Sequence, residues 1–88
     1  RMHILKFSTP TCVYCRVASP SIDVYALEHG ATVQGVDAFE DTQSTEDRAL
    51  CEQYQITGVP VIVVQQEGQE DTVLRNYHDI MNYVNNQS

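Results

Sequence analysis

Cys12-Val13-Tyr14-Cys15 is the segment best suited to chemistry. Two thiols separated by two residues, where an apolar strand-like run gives way to a helical pattern, lie close enough to join as a disulfide and part again. Cys12 would occupy the helix start, where unpaired backbone N–H groups and the positive end of the helix dipole favour a thiolate. It is the expected nucleophile. Cys15, about one turn later and shielded, is placed to attack a mixed disulfide on Cys12 and release the second thiol. The same spacing serves half of a zinc site, and the strand–turn–helix context is what favours redox chemistry. Val59-Pro60 stands far downstream, before a second apolar run.

Other residues carry weaker signals. Arg16, beside Cys15, would favour an anion near the site, although an exposed helical arginine is usually solvated surface. Tyr14 lies between the thiols, where exposure points to substrate contact. Cys51 falls with Leu50 and Tyr54 on one helix face and reads as a small core residue. His3, His29 and His78 have no spacing that makes a metal pair, so no metal site is expected. The acidic stretch from Asp37 to Asp47 lacks the central glycine of a calcium loop and reads as solvated loop and helix start.

The elements that must position the thiols follow from periodicity. Met2–Phe7 reads as a strand and Ser8–Thr11 as a loop. Val17, Ala18, Ile22, Tyr25 and Ala26 mark the inner face of a helix that ends at Gly30, with a kink expected at Pro20. Ala31–Val36 is the next strand and 37–43 an acidic loop. Ser44 with Asp47 resembles a capping box, opening a helix that turns Leu50, Cys51 and Tyr54 inward and ends near Gln55. Val59–Val64 is a β-branched run suited to a strand covered on both faces. A turn at 66–69, a short strand at Asp71–Arg75, and a helix capped by Asn76 with Tyr77, Ile80, Met81 and Val84 inward complete the order β-α-β-α-β-β-α.

The chain has 88 residues, 42% of them hydrophobic, which fits one small α/β domain. Twelve acidic residues against five basic ones leave net charge −7, which disfavours nucleic acid and anionic membranes as partners. No apolar run is long enough to span a bilayer, and no signal-peptide pattern opens the chain. Three cysteines suit a reducing compartment with one working pair and one spare, so a cytoplasmic setting is expected.

This order, with the dithiol at the first strand-to-helix junction and a proline before the third strand, resembles the thioredoxin/glutaredoxin superfamily over nearly the whole chain. The most specific parts are Cys12-Val13-Tyr14-Cys15, Pro20 and Ile56-Thr57-Gly58-Val59-Pro60. The resemblance implies a minimal thioredoxin fold, a four-stranded mixed sheet flanked by helices, without the leading strand and helix of a full thioredoxin. It also implies a cis Val59–Pro60 bond packed beside the dithiol, with Tyr14, Val59 and Pro60 contacting substrate. Within the superfamily, Tyr14 is similar to glutaredoxins, including phage-encoded ones, whereas Ile56–Pro60 is closer to thioredoxin. The glutathione-binding pattern is missing: Thr9 stands where glutaredoxins carry a basic residue, and Arg75-Asn76-Tyr77 where they carry a Gly-Gly turn. Lys6 occupies the position of a buried aspartate that assists proton transfer in thioredoxins. With Arg16 it is a candidate for tuning the thiols, against the plainer reading that its ammonium reaches water.

The function implied is reduction of protein disulfides without a bound cofactor. The reductant would be a thioredoxin-reductase-like enzyme or glutathione, and ribonucleotide reductase is an acceptor by resemblance. A glutathione-dependent glutaredoxin, a non-catalytic binding subunit and a metal or cluster carrier are the alternatives.

Overall fold

Alternation along Met2–Ser8 (β1) sends Ile4 and Lys6 to one side of a sheet and Leu5 and Phe7 to the other. The computed structural model describes residues 1–86. β1 pairs in parallel with Thr32–Asp37 (β2) and antiparallel with Val61–Gln66 (β3), which in turn pairs antiparallel with Thr72–Leu74 (β4). The sheet order is β2-β1-β3-β4. Helices Val13–Glu28 (α1), Thr45–Gln53 (α2) and Tyr77–Asn86 (α3) complete the expected order.

Two apolar clusters hold the sheet between helices. Ile4, Ile62 and Val64 pack on Ala18, Ile22 and Tyr25 of α1 and on Ile80 and Val84 of α3. On the opposite face Leu5, Phe7, Val36, Val61 and Val63 are covered by Leu50 and Cys51 from α2 and by Tyr54 at its C-cap. Val61 to Val64 are all buried, as a central strand covered on both faces requires. Burial pushes the Tyr25 hydroxyl well above its ordinary range, with Tyr83 beside it adding to the effect.

Several details depart from the sequence-based expectations. β3 starts at Val61 rather than Val59, since Pro60 has no N–H to give to the ladder; the Val59–Pro60 bond is cis. α1 continues through Pro20, and Val17 faces solvent, since the buried face is set by Cys15, Ala18, Ile22, Tyr25 and Ala26. α2 ends without glycine: Gln55 takes the left-handed conformation (φ 52°), and the Ile56 N–H reaches back to the Cys51 carbonyl at 2.9 Å. Arg75 holds that end by donating to the Tyr54 and Gln55 carbonyls at 2.8 and 3.3 Å.

The 37–43 loop is exposed but tied together. The Asp37 carboxylate accepts from the Phe39 N–H and the Thr42 hydroxyl, at 2.9 and 2.6 Å. The Asp37 N–H donates to Asp47 at 2.9 Å, so Asp47 braces the loop. Ser44 caps α2 by accepting from the Asp47 N–H. The Thr42 and Phe39 bonds hold the Asp37 carboxyl below its ordinary 3.8. Its stabilisation is therefore complete above that value and is lost as pH falls through the lower folded one. Urea unfolding midpoints should decline more steeply in acid for the native chain than for Asp37→Asn.

Candidate active site

The register of β1 against β3 builds the site. Phe7 pairs with Val61 at one end of the ladder, so the chain leaving β1 at Ser8 and the chain entering β3 through Pro60 lie side by side. From Ser8 a tight turn, closed by the Cys12 N–H to the Thr9 carbonyl at 3.3 Å, delivers Cys12 to the start of α1. Cys12 is the N-cap: its Sγ accepts from the Cys15 N–H at 3.1 Å. The two cysteines are joined as a disulfide with Cα atoms 5.2 Å apart. Cys12 is partly exposed, whereas Cys15 is only 8% exposed. The outer sulfur is thus the one open to another disulfide, and the inner one is open chiefly to its partner.

A cavity of about 210 Å³ lies behind the pair, lined by Lys6, Thr9, Cys15, Arg16, Ser19 and Pro60 among others. Four residues singled out in the sequence therefore meet here: Lys6, Cys15, Arg16 and Pro60. Pro60 is buried, and the cis geometry expected for Val59–Pro60 is present. Lys6 is 21% exposed and donates to the Ser19 hydroxyl at 2.8 Å and to Asp23 at 3.4 Å. Its ammonium is tethered to α1 rather than free in water. Arg16 reaches the Pro10 carbonyl at 3.5 Å across the loop that carries Cys12.

Tyr14 is mostly exposed, and its ring lies 4.9 Å from that of Tyr77 at the start of α3. It therefore both packs and presents a face beside the dithiol. Cys51 stays with the α2 cluster, its thiol directed at the Asp37 carbonyl. The histidines are apart from the thiols: His3 on Thr32 and Gln34, His29 stacked on Tyr25, His78 on Asn82. Among the described residues no group of three His, Cys, Asp or Glu is placed to hold a metal, and no helix is long and apolar enough to cross a membrane. The supporting residue that sequence reasoning missed is Arg75. It fixes the end of α2 from which Ile56–Pro60 departs, and only its position in the turn before α3 could have marked it.

A dithiol on the first helix, set against a cis-proline at one end of a β2-β1-β3-β4 mixed sheet, defines a thioredoxin fold. The chain matches the Thioredoxin family over residues 1–86 and belongs to it. Among solved structures it is similar to a thioredoxin of Fasciola hepatica, at 22% identity and TM-score 0.69 over 100% of this chain and 82% of that one. A mutant thioredoxin from Halobacterium salinarum is also 22% identical, with TM-score 0.65 over 97% and 73% of the two chains. The MTB protein DsbF is 16% identical, with TM-score 0.69 over 100% and 81%. At these identities the likeness is one of fold. No curated protein sequence matches the chain. Family and joined cysteines together make it a thiol–disulfide oxidoreductase.

Burial pushes the Cys51 thiol above its ordinary range, and Asp47, Asp37 and Glu52 nearby oppose its ionisation further. In the reduced protein at neutral pH, alkylation followed by peptide mass spectrometry should therefore label Cys12 well before Cys51. Equal labelling would show that Cys51 is not held in the α2 cluster.

Proposed function

We propose that the chain is a protein-disulfide reductase. The observation that carries this reading is the asymmetry of the pair, a partly exposed Cys12 at the helix cap and a buried Cys15 beside a cis-proline. The reduced Cys12 thiolate attacks one sulfur of a substrate disulfide, a new S–S bond forms as the substrate bond breaks, and the leaving thiolate takes a proton from solvent. Cys15, deprotonated, then attacks Cys12 Sγ, which closes the Cys12–Cys15 disulfide and releases the second substrate thiolate. The substrate gains two electrons and the protein loses two. An external reductant must return them.

Substrate would lie as an extended segment along the Val59 backbone, with Tyr14 as an apolar contact on the other side. Lys6 and Arg16 place positive charge at the cavity behind Cys15, favouring thiolate over thiol in the exchange. A protein reductase of the thioredoxin-reductase kind suits the site better than glutathione. Arg75 is engaged with the end of α2 where a glutathione-binding turn would stand, and Thr9 offers no cation. Protein disulfides of a reducing cytoplasm, including those of a ribonucleotide reductase, are the substrates this reading implies.

Equilibrating the pair with graded glutathione buffers in a Cys51→Ser background should give a potential below the glutathione poise, about −220 to −260 mV by extraction. A potential above it would turn the reading toward an oxidase. Cys15→Ser should accumulate mixed disulfides with oxidised protein substrates, and Cys12→Ser should accumulate none.

A further inference from the structure

The outer face of α1 carries a feature that the dithiol chemistry does not use. Val13, Val17, Pro20, Val24 and Leu27 recur at steps of four and three, and at the helical angle they stack directly opposite the buried face. Their exposure is substantial: 63% for Val13, 50% for Val17, 55% for Val24 and 83% for Leu27. Single apolar residues on a surface need no explanation, but a continuous stripe does. A helix apolar on both sides is ordinarily covered on both. The four-three spacing is that of a coiled-coil seam, so the face fits another helix with the same spacing.

The flanks of the stripe decide which helix. Arg16 and Asp23, seven residues apart, line one flank, and Tyr14, Ser21 and Glu28 the other. In an antiparallel pair of α1 helices like flanks meet. With Val13 against Val24 of a second copy and Val17 against its Pro20, Arg16 of each copy comes beside Asp23 of the other, and Tyr14 beside Ser21. Sliding the pair by one heptad would set Asp23 against Asp23. A parallel pair would bring Asp23 toward Glu28. One arrangement therefore combines apolar contact with two opposite-charge pairs, and it is two-fold symmetric.

We propose that α1 is a self-pairing surface through which two copies of this chain form an antiparallel dimer. Asp23 keeps 58% of its side chain exposed although it also faces Lys6, so it is open to a second cation. A helix of 16 residues is about 24 Å long, which makes the seam short and the dimer a concentration-dependent one. Because Val13 belongs to the dithiol motif, pairing also covers one side of the site.

Sedimentation velocity at physiological ionic strength, on oxidised protein in a Cys51→Ser background, tests this from micromolar to millimolar concentration. The expected result is a monomer–dimer equilibrium that Val17→Glu abolishes. Asp23→Arg should weaken it about tenfold, and Arg16→Asp combined with Asp23→Arg should restore it. Val17 is exposed, and unchanged unfolding curves would confirm that its variant folds. A monomer across the whole range would overturn the proposal and leave the stripe to a different protein. Unaltered dimerisation in Val17→Glu, or no restoration in the double variant, would overturn it as well.

Discussion

The antiparallel ladder between β1 and β3 is the constraint on which the rest depends. Its last pair, Phe7 with Val61, means that the chain leaves one central strand at the end where it enters the other. The turn to Cys12 and the cis Val59–Pro60 bond are brought together by pairing alone, with no long loop to order. The same register sorts the core, since a slip of one residue would exchange Phe7 and Lys6 between the two faces. Phe7 would then lie on the α1 side, and the lysine would face the apolar cluster under α2.

The three helix starts show how the chain separates structure from chemistry. Each cap accepts a hydrogen bond from the N–H three residues on: Ser44 from Asp47, Asn76 from Asp79, and Cys12 from Cys15. α2 and α3 also carry acidic residues in their first turn, the ordinary complement to a helix dipole. α1 carries none, in a chain with 12 acidic residues. A carboxylate there would compete with a Cys12 thiolate for the same positive potential. The sulfur thus takes the place of the capping oxygen and, when ionised, that of the first-turn acid.

Much of this was legible in the sequence because the signals are local. The stop of α1 announces itself in Gly30, and the cap of α3 in Asn76 three residues before Asp79. The buried run Val61–Val64 identifies the central strand by its β-branched composition. The stop of α2 near Gln55 is legible too, but not what holds it, for Gln55 replaces the usual glycine and its support comes from Arg75, twenty residues away. Val17 lies on the outer side of α1, against the expectation from periodicity, for a related reason. α1 has apolar residues on both sides, and periodicity alone does not tell an inner stripe from an outer one. The loop around Asp37 reads as solvated acid by composition, and only the distances show it to be a closed set of hydrogen bonds.

Lys6 combines two readings that the sequence set against each other. It belongs to the face of β1 that packs under α1, so its stem is confined, yet an ammonium in an apolar layer would be costly without partners. Ser19 and Asp23, four residues apart on α1, supply them at 2.8 and 3.4 Å. The charge is therefore neither buried alone nor released to solvent. It is fixed to the helix that carries the thiols, at the rim of the cavity behind Cys15. Five residues in the whole chain are cationic, and two of them, Lys6 and Arg16, line that cavity. In a protein of net charge −7, two of the few cations thus stand at the cavity behind the dithiol, one of them shared with Asp23.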